Sequence, residues 1–220
     1  MGYYRSPGFD RTSWRIFLLY LGIFGGTFDP IHLGHLILAE SLRQSMGIEE
    51  VVFVPAGRPP HKSNRQLASE TDRLDMVRAA IEGRTQFCVS DMEIRRGGPS
   101  FTLETLRMFR EKRSPLEPVL FLGLDNLSQL PTWAGIDQLL QEFQILIGSR
   151  PEGREDESIE SIRKQMGTEI ATKLKSSVVK TPLVGFSSSE IRERCRRGLS
   201  ISFQVPTAVE DYILSKGLYR

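Results

Sequence analysis

Cysteine is scarce in this chain of 220 residues, which contains only Cys88 and Cys195. The two lie far apart in the sequence, so neither a disulfide framework nor a zinc-ligand spacing can be assembled from them. Such sparing use of thiols is typical of proteins from a reducing compartment. We therefore expect the protein to work in the cytoplasm.

The sequence also lacks a large excess of charge of either sign. It carries 29 basic and 27 acidic side chains, which gives a net charge of +2. The first 20 residues account for this excess, and the other 200 carry 26 of each sign. A general nucleic-acid-binding protein would present a broad basic surface. We therefore expect no nucleic-acid partner, and any attraction for phosphate must come from local clusters.

Long apolar runs are missing as well. The main candidate, RIFLLYLGIF, is too short to span a bilayer. Cleavage of this run as a signal peptide would destroy the distinctive motif that follows it at once. We interpret 16–23 as a buried first strand and expect no membrane association. Residues 1–14 are expected to form a loosely ordered extension and 15–220 a single domain, and a homo-oligomer is compatible with the sequence.

Apolar runs alternate with amphipathic stretches along the chain. The predicted strands are 16–23, 51–55, 87–92, 118–123, 144–148 and 178–184. The predicted helices are 31–46, 70–82, 102–113, 136–143, 156–175, 188–197 and 206–216. This alternation predicts an α/β fold, with a parallel sheet that has helices on both faces. Ligands of such folds bind beyond the carboxyl ends of the strands, so a motif that directly follows a strand gains weight.

The segment GGTFDPIHLGH, residues 25–35, follows the first predicted strand. Gly25 and Gly26 lack a Cβ atom, which allows a ligand to approach the backbone closely. Asp29 is predicted to be the N-cap of a helix and Pro30 its first residue. The N–H groups and the dipole at that end of the helix would attract a phosphate.

His32 and His35 are one helical turn apart, and we expect both on one face near this helix end. Together they would donate hydrogen bonds to a phosphoryl group or a leaving oxygen. A lone histidine on an apolar helix is more often a satisfied core residue, and a His-x-x-His pair can also bind a metal. The only other histidine is His61, so no third metal ligand is evident. We predict no metal held by protein ligands.

Two further loops place cations directly after predicted strands. The loop PAGRPPHK ends on Lys62, whose ammonium group would reach a phosphate, although the loop taken alone is better explained as a Pro-stiffened connection. In GFSSSEIRERCRRG, Ser187 and Glu190 have the spacing of a capping box, which is a structural role. Ser188 and Arg192 are four residues apart, so a hydroxyl and a guanidinium share a face near the helix N-terminus. This pair predicts a second anion site.

Several familiar kinds of catalytic site are missing. No Ser-His-Asp triad and no activated cysteine can be assembled, and the glycines match neither the Gly-x-Gly-x-x-Gly dinucleotide motif nor a Walker P-loop. Three loops at one edge of a parallel sheet instead offer contacts for phosphate. The chemistry they indicate is direct phosphoryl or nucleotidyl transfer, driven by positioning and charge neutralisation.

From about Gly22 to the C-terminus, the sequence resembles the bacterial nicotinate-nucleotide adenylyltransferases of the nucleotidyltransferase superfamily with a His-x-Gly-His motif. The matching motifs are GGTFDPIHLGH, PPHK, DRLDM, SFTLETL, LGLDNLSQLPTW, FSSSEIR and VPTAVEDYILSKGLY. The first motif alone would specify only the superfamily. Seven motifs in the same order are specific to the adenylyltransferases.

The resemblance implies a Rossmann-like fold and a reaction of NAD biosynthesis, in which ATP and nicotinate mononucleotide give nicotinate adenine dinucleotide and pyrophosphate. It also implies Mg²⁺, bound mainly through the ATP phosphates. The catalytic residues that it implies are His32, His35, Lys62 and Arg192. The residues that it implies for binding ATP and the mononucleotide are Gly25, Gly26, Thr27, Phe28, Thr102, Asp125, Trp133 and Ser188. Trp133 would stack on the pyridine ring, the backbone at Thr102 would bind the carboxylate, and Asp125 would hydrogen-bond a sugar.

Purely structural roles are open for the last three residues. Trp133 could anchor the core, Thr102 could cap a helix, and Asp125 could be the N-cap of a helix that starts near Leu127. The chain has Phe101 where the family often has Tyr, and FSSS where it often has ISST. Both differences bear on fine substrate preference only.

Other protein classes share parts of the pattern. A sister adenylyltransferase would use the amidated mononucleotide or phosphopantetheine, and the pantetheine enzymes generally lack the PPHK and Trp133 neighbourhood. An aminoacyl-tRNA synthetase fragment would carry a KMSKS motif, which is missing here. A nucleotide-sensing module would keep the fold without the catalytic groups, whereas this chain retains His32, His35, Lys62 and Arg192.

Overall fold

A computed structural model describes residues 19–58, 67–149, 154–182 and 184–220. Six strands in these residues form one parallel sheet in the order β3-β2-β1-β4-β5-β6. Their bounds are β1 Tyr20–Gly26, β2 Glu50–Pro55, β3 Phe87–Val89, β4 Glu117–Gly123, β5 Gln144–Ser149 and β6 Val178–Lys180. The predicted α/β class and parallel sheet are confirmed.

The helices lie on both faces of the sheet, as predicted. They are α1 Leu33–Met46, α2 Glu70–Ile81, α3 Met92–Arg96, α4 Thr102–Lys112, α5 Ile136–Glu142, α6 Arg154–Met166, α7 Thr168–Ser176, α8 Ser188–Arg196 and α9 Thr207–Lys216. A 3-10 helix also runs over Leu124–Thr132.

Alternating residues of the central strands enter two separate cores. In β1, Leu21 and Ile23 join the core beneath α4, α5, α6 and α7, whereas Phe24 joins the core beneath α1, α2 and α9. Apolar side chains on both faces are characteristic of a strand in the middle of a parallel sheet. Phe53 and Phe121 are 0% exposed, and burying a side chain of this size contributes roughly 1.5–3 kcal/mol.

Several boundaries differ from the sequence prediction for local reasons. The first strand lies at Tyr20–Gly26 instead of 16–23, so the two glycines close the strand; residues 16–18 lie outside the described residues. The predicted helix 156–175 is two helices, because Gly167 has φ of 92° and interrupts it. The proposed extension 1–14 also lies outside the described residues.

The strand order reverses between β1 and β4, which lie side by side. Chain segments leave the carboxyl ends of these two strands in opposite directions across the sheet, and a crevice opens there. The end of β1 leads into the segment Thr27–His32, and the end of β4 leads into the 3-10 helix. The predicted ligand edge is therefore assembled from the segments that carry the motifs.

Candidate active site

A cavity of about 480 Å³ lies at this crevice. That volume is typical of sites for small molecules and cofactors. Its walls come from the β1–α1 segment, the first turn of α4, the 3-10 helix and the first turns of α8. The sequence-predicted site residues that line it are Gly25, Gly26, Thr27, Phe28, His32, His35, Thr102, Asp125, Trp133, Ser188 and Arg192. Lys62, the remaining one, lies outside the described residues.

Helix α1 begins three residues later than the sequence suggested. Its N-cap is His32 and its first residue is Leu33, so the prediction of Asp29 as N-cap and Pro30 as first helical residue is wrong. The Oδ1 of Asp29 instead accepts hydrogen bonds from the backbone of Ala68 and the hydroxyl of Tyr219. Tertiary contacts therefore outweigh the local capping preference.

The two histidines of the motif meet at the start of α1. Their rings stack with centroids 3.7 Å apart and an interplanar angle of 28°. The backbone N–H of His32 donates to Nδ1 of His35 over 3.2 Å, which fixes the orientation of the second ring. The ring of Phe28 also packs edge-on against that of His35, with centroids 5.2 Å apart. Both imidazoles line the cavity, so the expected shared face is confirmed.

Gly25 and Gly26 differ in what surrounds them. A Cβ atom on Gly26 would come within 2.8 Å of the Phe28 ring, whereas one on Gly25 would meet no described atom within 4 Å. Phe28 itself is buried and has φ of 49°, in the left-handed region. Gly26 is therefore required by protein packing, while the space beside Gly25 belongs to the cavity.

Helix α8 brings the second pair of predicted residues to the same cavity. Ser187 and Glu190 form the predicted capping box, with Glu190 Oε2 accepting from the Ser187 N–H at 2.6 Å and Ser187 Oγ accepting from the Glu190 N–H at 3.3 Å. The hydroxyl of Ser188 donates to the carbonyl of Pro30 over 3.0 Å. Arg192 Nη1 donates to the carbonyl of Asp29 over 2.7 Å. These contacts tie α8 to the β1–α1 segment beside the histidines.

Sequence reasoning missed Arg73, which is 1% exposed and lies beneath the site. Its guanidinium donates to the carbonyl oxygens of Thr27 at 2.9 Å, Ala56 at 2.7 Å, Gly57 at 3.0 Å and Ala68 at 3.3 Å. One side chain thus joins the loops that follow β1 and β2. The only available signal was the motif DRLDM, because an arginine in an amphipathic helix ordinarily indicates a solvent-facing position.

Thr102, Asp125 and Trp133 line the cavity from the start of α4 and from the 3-10 helix with its C-cap. Trp133 ends the 3-10 helix, lines the cavity and packs partly against the core, so its structural and ligand-facing roles coexist. Thr102 is the first residue of α4, whose N-cap is Phe101, so Thr102 is not the cap. Asp125 lies in the first turn of the 3-10 helix and not at the N-cap of a helix near Leu127.

The remaining reactive groups do not form a competing site in the described residues. Burial and a hydrogen bond to Glu50 raise the pKa of the Cys88 thiol to about 12, the opposite of what a nucleophile needs. No cluster of three or more His, Cys, Asp or Glu side chains suited to a metal occurs in the described part of the chain. No helix there combines the length and apolarity that are needed to cross a bilayer.

Comparison with known proteins identifies a matching family. Residues 23–194 match the cytidylyltransferase-like family. A relative from Thermomicrobium roseum, described as "Probable nicotinate-nucleotide adenylyltransferase", is 39% identical over 200 residues, which is 91% of each chain. A relative of the same description from Halalkalibacterium halodurans is 38% identical over 201 residues and 91% of each chain.

Solved structures show the same fold. The nicotinic acid mononucleotide adenylyltransferase of Plasmodium falciparum, solved in complex with NaAD, superposes with a TM-score of 0.68 at 19% identity. The match covers 91% of this chain and 97% of that one. The fold is therefore Rossmann-like, and the chain belongs to the cytidylyltransferase-like family and, within it, to the nicotinate-nucleotide adenylyltransferases.

Proposed function

We propose that the protein transfers the adenylyl group of ATP to nicotinate mononucleotide, giving nicotinate adenine dinucleotide and pyrophosphate in NAD biosynthesis. The observation that carries this proposal is the composition of one cavity. Two stacked histidines and a helix N-terminus with Ser188 and Arg192 line it from the sheet face that α1 and α8 cover, and Trp133 lines it from the face of the other core. The relatives bear the name of this activity.

The reaction needs no covalent enzyme intermediate. A phosphate oxygen of the mononucleotide attacks the α-phosphorus of ATP, and the bond from that phosphorus to the bridging oxygen of the β-phosphate breaks. The electron pair of the broken bond leaves with pyrophosphate. The protein must therefore align two phosphates and neutralise the charge that develops on the leaving group.

The imidazole, hydroxyl and guanidinium groups on the histidine side of the cavity suit this task. We assign His32, His35, Ser188 and Arg192 to the ATP phosphates, and Gly25, Gly26, Thr27 and Phe28 to the nucleotide wall. Support comes from the N-termini of α1 and α8, which both border the cavity, because helix N-termini attract phosphate. We also assign Lys62 to the ATP phosphates, and only its motif, PPHK, supports this assignment.

The opposite wall suits a pyridine ring that carries a carboxylate. We assign Trp133 to stacking on the pyridine ring and the first turn of α4, at Thr102, to binding the carboxylate. We assign Asp125 to a hydrogen bond with a sugar. The N-cap of α4 is Phe101, whose side chain cannot accept a hydrogen bond from the first N–H groups of the helix. Those donors complement a carboxylate better than a carboxamide, whose NH₂ would face them.

We expect the divalent metal to bind together with the substrate ATP. Mg²⁺ prefers oxygen ligands and retains water, and the triphosphate supplies such oxygens. Two acidic residues of the cavity wall have a carboxylate oxygen occupied by protein donors: Asp29 Oδ1 accepts from Ala68 and Tyr219, and Glu93 Oε1 accepts from Thr105. We therefore propose that Mg²⁺ is held mainly through ATP phosphates, and that the reaction takes place in the cytoplasm.

Pyrophosphate release from ATP tests the function directly. The assay is run in parallel with nicotinate mononucleotide, its amide and phosphopantetheine, and the dinucleotide product is identified by mass spectrometry. We expect the highest kcat/KM with nicotinate mononucleotide. Equal kcat/KM for acid and amide would contradict the carboxylate assignment. Turnover with phosphopantetheine alone, or with none of the three, would contradict the proposed reaction.

A further inference from the structure

Asp29 carries a carboxylate beside the cavity that is almost fully buried, since the residue is 2% exposed. Two donors from distant parts of the chain meet at its Oδ1. They are the backbone nitrogen of Ala68, at 3.1 Å, and the phenolic oxygen of Tyr219, at 2.7 Å. A buried carboxylate requires such donors, because burial of an uncompensated charge is very costly.

The same residue holds Arg192. The guanidinium donates from Nη1 to the backbone carbonyl of Asp29 over 2.7 Å, and that nitrogen lies 3.6 Å from the carboxylate oxygen Oδ2. Nη2 donates to the hydroxyl of Ser189 over 3.2 Å. The Arg192 side chain is 12% exposed and borders the cavity. Its position therefore depends on how strongly Asp29 attracts it.

Tyr219 reaches this cluster from the very end of the chain. Helix α9 ends at Lys216, and the chain turns back through Gly217 and Tyr219, which both have positive φ, of 62° and 63°. This turn directs the phenol toward Asp29. Burial and the adjacent carboxylate raise the pKa of this phenol, so it remains a protonated donor at physiological pH.

We propose that Tyr219 is a positioning residue for ATP, acting through Asp29 on Arg192; this inference rests on the proposed function. The hydroxyl neutralises part of the Asp29 charge from the side away from the cavity. Arg192 is then held at 3.6 Å from Oδ2 instead of closing on it, and its guanidinium stays at the cavity wall. Without the hydroxyl, the carboxylate would draw Arg192 inward and away from the triphosphate.

Other charges around Asp29 support this balance. Arg73 and Arg192 both lie close enough to interact electrostatically with the cluster of Asp29 and Tyr219. Arg73 is committed to the four backbone carbonyls that it bridges. Arg192 is therefore the cation whose position can respond when a donor to Asp29 is lost.

The chain offers a matched pair of tyrosines for the test. Tyr212 also donates a phenolic hydrogen bond to an aspartate, with 2.9 Å between its oxygen and Oδ1 of Asp72, but this contact joins α9 to α2 outside the cavity. We expect Tyr219→Phe to raise KM for ATP about three- to tenfold, the range for one net hydrogen bond. Its kcat and its KM for the mononucleotide should change less, and Tyr212→Phe should leave all three near wild type.

Two outcomes of these kinetics would overturn the proposal. One is an unchanged KM for ATP in Tyr219→Phe. The other comes from combining it with Arg192→Ala: if Tyr219 acts through Arg192, its replacement has no further effect on KM for ATP in that background. The same fold increase in both backgrounds would show that the hydroxyl acts by another route.

Equilibrium binding of ATP, measured by calorimetry, separates this inference from the proposed function. A wild-type protein that binds ATP without adenylyl transfer would refute the function, while the Kd ratio between Tyr219→Phe and Tyr212→Phe would still test the positioning role. Should Tyr219→Phe fail to fold, Asp29→Asn removes the charge while keeping the shape. That variant removes the attraction that, in balance with the Tyr219 hydroxyl, holds Arg192 at the cavity wall. ATP binding should therefore weaken at least about threefold, and an unchanged Kd would overturn the proposal.

Discussion

The imidazole rings of His32 and His35 stack at 3.7 Å between centroids, and the backbone of the first donates to Nδ1 of the second. The pair is thus a single preorganised unit at the start of α1. Its orientation is fixed before a ligand arrives, so no reorganisation is needed as charge develops on the leaving pyrophosphate.

We expect His32→Ala and His35→Ala each to lower kcat by about 10²–10³, the usual effect of removing a donor to a developing charge. Binding of the mononucleotide should change far less. Steady-state kinetics with each substrate varied in turn make the comparison. Wild-type kcat in either variant would remove that residue from the catalytic set.

His35→Asn separates the catalytic role of this residue from its structural one. The amide oxygen of Asn can replace Nδ1 as acceptor for the His32 N–H, but it offers no counterpart to Nε2. We expect this variant to keep most of the thermal stability that His35→Ala loses while sharing its low kcat. A variant with recovered kcat would indicate that His35 acts only on the helix end.

Arg73 gives a prediction about stability. Arg73→Met would leave four carbonyls, one of them buried and three half-buried, without the donor that joins the loops after β1 and β2. We expect a loss of roughly 3–5 kcal/mol in the free energy of unfolding, at the high end for one substitution. Arg78→Met is the control, because that side chain of α2 is 54% exposed and pairs with Asp75 at the surface. Equal urea midpoints for the two variants would contradict this role of Arg73.

Much of the fold was predictable because its signals are local. The buried strands, the helices on both faces and the capping box of Ser187 and Glu190 follow from periodicity and spacing along a few residues. The cavity position followed too, since parallel strands bring their carboxyl ends to one edge. The helix over Leu124–Thr132 was foreseen only as the structural alternative for Asp125, with a start near Leu127, and its 3-10 geometry was not predicted.

The supporting contacts of the site were not predictable, because they join residues distant in sequence. Asp29 looked like a helix cap, yet its partners lie 39 and 190 residues away, at Ala68 and Tyr219. Arg73 belongs to the amphipathic helix α2, where an arginine ordinarily faces solvent, yet it is 1% exposed. Local preferences do not record such tertiary hydrogen bonds.

The two glycines at the end of β1 should respond differently to a methyl group. Gly26→Ala would push Cβ to 2.8 Å from the Phe28 ring and lower the melting temperature. Gly25→Ala meets no described atom within 4 Å, so it should fold normally but weaken ATP binding by occupying the cavity. Melting curves and ATP titrations on both variants make the test. Normal ATP binding by Gly25→Ala would show that the ligand does not approach there.

Cys88 gives a prediction about pH. Its thiol pKa is raised from 9.0 to about 12, first by burial and then by its hydrogen bond to Glu50. The thiolate fraction at pH 8 is then about a thousandfold below that of an ordinary thiol. Labelling by iodoacetamide should therefore be far slower in the native protein than in denaturant, as mass spectrometry of the Cys88 peptide would show. Equal labelling rates in the native and the denatured protein would contradict the raised pKa of the Cys88 thiol.

The same shift fixes the sign of a stability change. Because the folded-state pKa is the higher one, the contribution of Cys88 is fully present below pH 9.0 and is lost as the pH rises toward 12. Cys88→Ala should therefore show a shallower loss of stability than wild type between these limits, measured from urea midpoints. Parallel curves for the two proteins would refute this linkage.

Arg192 gives the sharpest test of the phosphate site. Arg192→Ala removes a guanidinium at the cavity wall, and charge-assisted contacts to phosphate contribute roughly 1.5–3 kcal/mol each. KM for ATP or kcat should worsen by about an order of magnitude or more. The variant should also lose about 1–3 kcal/mol of stability, because the buried carbonyl of Asp29 loses its donor. Arg192→Lys should recover only part of the activity, since an ammonium cannot reproduce the guanidinium fork.

Arg196→Ala is the control one turn along α8, because that side chain is 52% exposed and pairs with Glu193. ATP titrations and melting curves on the three variants decide the matter: normal kinetics in Arg192→Ala, or equal damage from Arg196→Ala, would place the triphosphate elsewhere.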